Sequence, residues 1–167
     1  MKILACAFIS LLFLAGCAKE PATGLAPTPK RVTSETVVTV EAPPVELNAG
    51  ASVEANVRLK VDPGYHINAN PASFPYLIAT QLDVPKADGV SAAKVSYPQP
   101  LNKEFSFSEG PLAVYENEAD LKVTLLADAF AKRGQTSIPA KLRIQACDDK
   151  VCYPPGTIDV WIPVTVR

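Results

Sequence analysis

Residues 52–62, SVEANVRLKVD, alternate apolar and polar side chains without interruption. Val53, Ala55, Val57, Leu59 and Val61 fall on one side of an extended chain, with Glu54, Asn56, Arg58 and Lys60 on the other. A period of two gathers its apolar groups on one face only in a strand; wound into a helix, they would scatter around the axis. Related runs occupy 36–42, 76–84, 92–98, 120–127, 138–146 and 157–166. Turn-forming stretches separate them: DPGY at 62, ADGV at 87, SEGP at 108 and YPPG at 153. Sixteen prolines in 167 residues, about twice the usual ~5%, argue against long helices. Only LLADAFAKRG (125–134) has helical character, enough for a single turn at the end of a strand. Seven short strands at these spacings predict an all-β, immunoglobulin-like antiparallel β-sandwich.

The first residues, MKILACAFISLLFLAGCAKE, place one positive charge, Lys2, before an apolar run from Ile3 to Leu14. A membrane span needs about 20 apolar residues, so residues 1–16 are expected to be a secretion signal. LAGC resembles the lipobox of bacterial lipoproteins, which implies cleavage before Cys17, a diacylglycerol on its sulfur, and a protein held to a membrane by lipid. Ala18, where an inner-membrane retention signal would have Asp, points to the outer membrane. Residues 17–31 then form a lipidated cysteine and flexible linker, rich in Pro, Ala and Thr. Residues 32–167 are the size of one domain. Loss of Lys2 with the leader takes the formal charge from −1 to −2. No basic patch argues for a nucleic-acid partner, and no acidic block for a disordered tail.

Of four cysteines, Cys6 leaves with the leader and Cys17 carries lipid, so Cys147 and Cys152 remain in the domain. In an oxidising compartment two thiols this close usually pair. As a staple the bond is weak, because closing a loop of about six residues removes only some 2 kcal/mol of unfolded-chain entropy. As a metal clip it lacks ligands: Asp148 and Asp149 are near, His66 is distant, and the only methionine is Met1. No metal or other cofactor is expected. As a redox couple it departs from the thioredoxin pattern, since four residues separate the cysteines and Tyr153-Pro154-Pro155 forbids a helix after them. Asp148 and Asp149 oppose thiolate formation, with Lys150 partly offsetting them. Such a pair attacks poorly, yet an incoming thiolate that reaches one sulfur can attack it. On residue chemistry alone, staple and redox couple both stay open, the staple being the simpler.

QACDDKVCYPP, together with GYHINANPAS and KEFSFSEGPLAVYENEADLKV upstream, resembles the periplasmic N-terminal domain of the thiol:disulfide interchange protein DsbD and its relatives. The likeness runs from about residue 36 to 166. It implies an immunoglobulin-like fold with Cys147 and Cys152 as a redox pair near one end, and Cys152 as the sulfur that forms the mixed disulfide. It also implies a mobile cap over the pair in NKEFSFSEG, with Phe105 the first candidate for the covering aromatic, Phe107 the second, and Glu104 beside them. Polar residues expected near the sulfurs are His66, Asn68, Asp148, Asp149 and Tyr153. The implied activity is thiol:disulfide interchange of the protein-disulfide reductase type. Electrons would pass from a thioredoxin-like or transmembrane thiol donor to oxidised periplasmic proteins such as disulfide isomerases and cytochrome c maturation factors.

Two departures concern the site. Better-known members have one more residue between the cysteines, and they carry aromatics where this chain has His66 and Asn68. His66 is therefore a candidate proton acceptor beside the sulfurs, or an ordinary hydrogen-bonded surface residue. A third concerns architecture: DsbD continues into a transmembrane carrier and a thioredoxin domain, whereas this sequence ends at Arg167. Its electrons are then expected from another polypeptide. The alternative is a non-catalytic envelope binding or scaffold lipoprotein with a structural disulfide.

Overall fold

The computed structural model describes residues 31–167; the expected leader, Cys17 and nearly all of the linker lie outside them. A 3-10 turn, Ser34–Val37, leads into β1 (Val38–Glu41), β2 (Val45–Leu47), β3 (Ser52–Val61), β4 (His66–Asn68), β5 (Gln81–Asp83) and β6 (Val90–Ser96). The chain continues through β7 (Leu101–Lys103), β8 (Leu112–Tyr115), β9 (Glu118–Ala127), β10 (Gly134–Ile144), β11 (Ala146–Cys147) and β12 (Gly156–Val166).

Two four-stranded sheets, β1-β3-β9-β6 and β2-β12-β10-β5, form the sandwich. All their pairings are antiparallel except β2 with β12. The alternation read from residues 52–62 is the alternation observed: Ala55, Val57, Leu59 and Val61 are buried, and Val53 is half-buried. Across the core, Leu121, Val123 and Leu125 of β9 meet Ile138, Leu142 and Ile144 of β10 and Ile162 of β12, all fully buried in one cluster. Each such Leu or Ile contributes about 1.5–3 kcal/mol by leaving water. The ADGV turn joins β6 to what precedes it as a two-residue hairpin, with Asp88 at φ 50° and Gly89 at φ 77°. Only residues that tolerate positive φ at both central positions fit that turn.

Every one of the seven expected runs contains a strand, but 76–84 contains only β5, its last third. Among the described residues there is no α-helix, and within 125–134 the chain makes a single turn between β9 and β10, with the Ala131 amide donating to the Asp128 carbonyl at 3.0 Å. Five short strands were not legible: β2, β4, β7, β8 and β11. Four of them form a third sheet, in the order β11-β4-β8-β7, across one end of the sandwich. Their two to four residues are too few to show a period.

Candidate functional site

The cysteines lie at the tip of the longest hairpin. β10 and β12 pair over eleven positions, ending at Ile144 opposite Gly156. Gln145 interrupts the strand, and β11 resumes it for Ala146 and Cys147. The chain then turns and brings Cys152 back opposite Cys147 as an isolated antiparallel bridge. The two sulfurs are joined in a disulfide, with the Cα atoms 3.9 Å apart. The Tyr153 amide, donating to the Ala146 carbonyl at 2.8 Å, closes the base of the loop.

Asp148 builds that loop from within. Its Oδ1 accepts from the amides of Lys150 (2.8 Å) and Val151 (2.9 Å), and its Oδ2 from the Tyr153 hydroxyl at 2.7 Å. The Tyr153 hydroxyl first, then the two amides, hold the Asp148 carboxyl below the usual carboxylate range. Reciprocally, the Tyr153 phenol is pushed up to about 12, chiefly because its proton is held by Asp148. Asp148 and Tyr153 therefore serve loop geometry, whereas Asp149 is exposed. Beneath them the buried Ser34 hydroxyl donates to the Pro154 carbonyl (2.7 Å) and accepts from the Ala146 amide (3.0 Å). Losing it would leave the buried Ala146 amide unsatisfied, at a cost of about 1–3 kcal/mol.

The two sulfurs stand in different surroundings. Cys147 is fully buried, while Cys152 is half-buried and forms part of a cavity of about 250 Å³ with Tyr76, Leu77, Phe107, Leu112 and Gln145. The walls are mainly apolar and aromatic, with Ser108 and Gln145 as the polar groups. Tyr76 is 62% exposed and stacks on Phe74 with ring centroids 5.4 Å apart. Its segment is held by Gln145, whose Oε1 accepts from the Ile78 amide (2.9 Å) and from Asn68 Nδ2 (3.1 Å). Asn68 Nδ2 also reaches the Ile78 carbonyl at 3.3 Å. Asn68 thus helps to position the wall of the cavity.

On the Cys147 side, β4 pairs with β11 so that His66 stands opposite Cys147. The imidazole is 1% exposed and stacks on Phe105, centroids 4.2 Å apart and planes 20° from parallel. Phe107 stacks in turn on Phe105 at 5.4 Å. Phe105 thus lies on His66, the residue opposite Cys147, and Phe107 lines the cavity that includes Cys152. Glu104 is exposed at the rim of a groove shared with Lys103 and Asp149. Burial lowers the His66 pKa; Glu116, Asp149 and Asp148 oppose that shift, and Lys103 reinforces it. His66 is thus a buried residue and not a surface one.

Sequence reasoning missed Ser34, Gln145, Tyr76 and Leu112. Gln145 left no signal, because it takes the polar place of the alternation between Ile144 and Ala146. Tyr76 left none, since it sits in an apolar run that reads as strand.

Fold and site together define an immunoglobulin-like domain whose disulfide, one sulfur buried and the other half-buried, lies close to a cluster of aromatic residues. Residues 33–160 match the family described as "Thiol:disulfide interchange protein DsbD, N-terminal", and the chain belongs to that family. Its fold is shared with the DsbD N-terminal domain of Neisseria meningitidis in the reduced form, at 23% identity and a TM-score of 0.52, covering 80% of this chain and 90% of that one. The same holds for the complex between the DsbD N-terminal and PilB N-terminal domains of that organism: 22% identity, TM-score 0.50, 79% and 87% covered. The N-terminal periplasmic domain of ScsB from Proteus mirabilis shares 13% identity at a TM-score of 0.53, over 81% of this chain but 49% of its own. No curated protein gives a significant match to the sequence.

Proposed function

We propose that the domain relays thiol–disulfide exchange in the periplasm through the Cys147–Cys152 couple, with Cys152 as the point of attack. The observation that carries this reading is the asymmetry of the pair: Cys147 is fully buried, whereas Cys152 is half-buried and opens onto an apolar cavity. A donor thiolate attacks Cys152 Sγ, the bond to Cys147 breaks, and Cys147 leaves as a thiolate. The donor's second thiol then resolves the mixed disulfide, leaving the donor oxidised and both cysteines reduced. The reduced pair passes the two electrons to an oxidised protein by the same exchange in reverse.

A thioredoxin-like or transmembrane thiol protein is the donor this chemistry asks for, and oxidised envelope proteins, including those of cytochrome c maturation, are the acceptors. Family membership supports both, as does the neisserial DsbD N-terminal domain's complex with a PilB domain. The domain works at the membrane through a lipid on Cys17, at the outer membrane as Ala18 suggests. Mass spectrometry of the mature N-terminus is expected to find acylated Cys17; a plain cleaved end would remove the anchor.

Redox titration of the domain tests the relay itself. A midpoint more oxidising than about −300 mV is expected, because structural disulfides lie below that value. A midpoint well below it would make the pair structural and the domain a non-catalytic binding module.

A further inference from the structure

Building on the relay, we infer that His66 is the charge partner of Cys147: when the disulfide opens, its imidazole takes up the proton that lets the buried sulfur persist as a thiolate. The register sets the pair side by side. His66 and Cys147 are directly opposed across the antiparallel β4–β11 ladder, and such residues project to the same face with Cβ atoms about 4.5–5.5 Å apart. The imidazole is 1% exposed and Cys147 fully buried, with Phe105 stacked over the ring. His66 Nε2 is buried and makes no hydrogen bond among the described residues. A buried polar atom left without a partner is a costly arrangement. It is explained if the partner is created by the reaction.

The reaction creates one. Attack at Cys152 expels Cys147 as a thiolate at a fully buried position, where an unpaired charge is strongly disfavoured. The other charged groups facing His66 are already engaged or wet. Lys103 of β7 pairs with Glu116 at 2.6 Å. Asp148 accepts three hydrogen bonds within its own loop. Asp149 and Glu104 are exposed, and all the carboxylates carry the wrong sign for a thiolate. Only the imidazole can turn cationic beside the sulfur.

The balance is then complete. The donor sulfur bonds to Cys152, the Cys147–Cys152 bond breaks, Cys147 keeps the electron pair, and a proton from solvent or the donor's second thiol settles on His66. Resolution by the donor's second thiol frees Cys152. When the domain later reduces an acceptor, Cys147 closes the disulfide again and His66 releases its proton. His66 acts through Cys147 and touches neither donor nor acceptor.

The chain contains one histidine, so its ring protons can be followed by NMR without assignment ambiguity in both redox states of the unmodified protein. In the oxidised form the ring is expected to titrate below the ordinary value near 6.5. Reduction should raise that midpoint by at least about one pH unit, a tenfold gain in proton affinity, and ultraviolet absorbance should report one thiolate near neutral pH. The same midpoint in both states would overturn the assignment. His66→Phe keeps a ring to stack on Phe105 and should lose the neutral-pH thiolate; a thiolate that persists in this variant would equally overturn it. The redox titration stands apart from both: a disulfide that behaves as structural there defeats the relay, whereas an unshifted histidine in a labile couple defeats only the role of His66.

Discussion

Cys147→Ser is expected to turn the domain into a trap. With the buried sulfur gone, Cys152 remains in the cavity wall, free to form a mixed disulfide that no internal thiol can resolve. Recovered from intact cells under non-reducing conditions, this variant should carry at least about tenfold more covalent partner than Cys152→Ser, since exchange needs a sulfur that a partner can reach. Cys147 is fully buried, so the reverse pairing has no geometric route. Equal yields from both variants, or adducts on Cys152→Ser alone, would reverse the assignment of the attacked sulfur. No adduct from either would leave a domain that binds without exchanging.

The second large effect concerns the cap. Phe105 is the only ring of that segment anchored on a buried residue, His66, and Phe107 leans on Phe105 in turn. Truncating Phe105 releases both. Reduction of the disulfide by a small thiol should then accelerate roughly two- to tenfold in Phe105→Ala, the equivalent of the 0.5–1.5 kcal/mol that an aromatic pair contributes. Phe105→Leu, which keeps apolar cover, should fall between the two. Stopped-flow reduction with dithiothreitol measures this directly, and rates unchanged from the parent protein would show that the aromatic pair does not gate access.

The large sheets were legible because their strands are long enough to show a period. β3 and β9 are each ten residues, and β10 and β12 eleven; their buried positions alternate as the apolar residues do. The end of the sandwich was not legible, for a physical reason. Residues 76–80 read as strand because Tyr76, Leu77 and Ile78 are apolar, yet they cover the end of the core in irregular backbone held by Gln145 and Asn68. Covering an end rewards apolarity without imposing alternation. The cysteine pair itself was visible from spacing, but the unequal exposure of its two sulfurs was not. That inequality arises because Cys147 continues a central strand while Cys152 returns on a turn, a relation that only the register of β10 with β12 reveals.

The eleven pairs between β10 and β12 meet just below the cysteines and hold both ends of the loop whether or not the sulfurs are joined. Breaking the bond frees a segment of only six residues, Cys147–Cys152, whose base is already tied by Tyr153 and Ser34. The framework is therefore deaf to the redox state of its own tip. Strand amides should show the same hydrogen-exchange protection before and after reduction. Any protein that must tell the reduced domain from the oxidised one has to read the few groups around the sulfurs, because nothing farther down the hairpin carries the message.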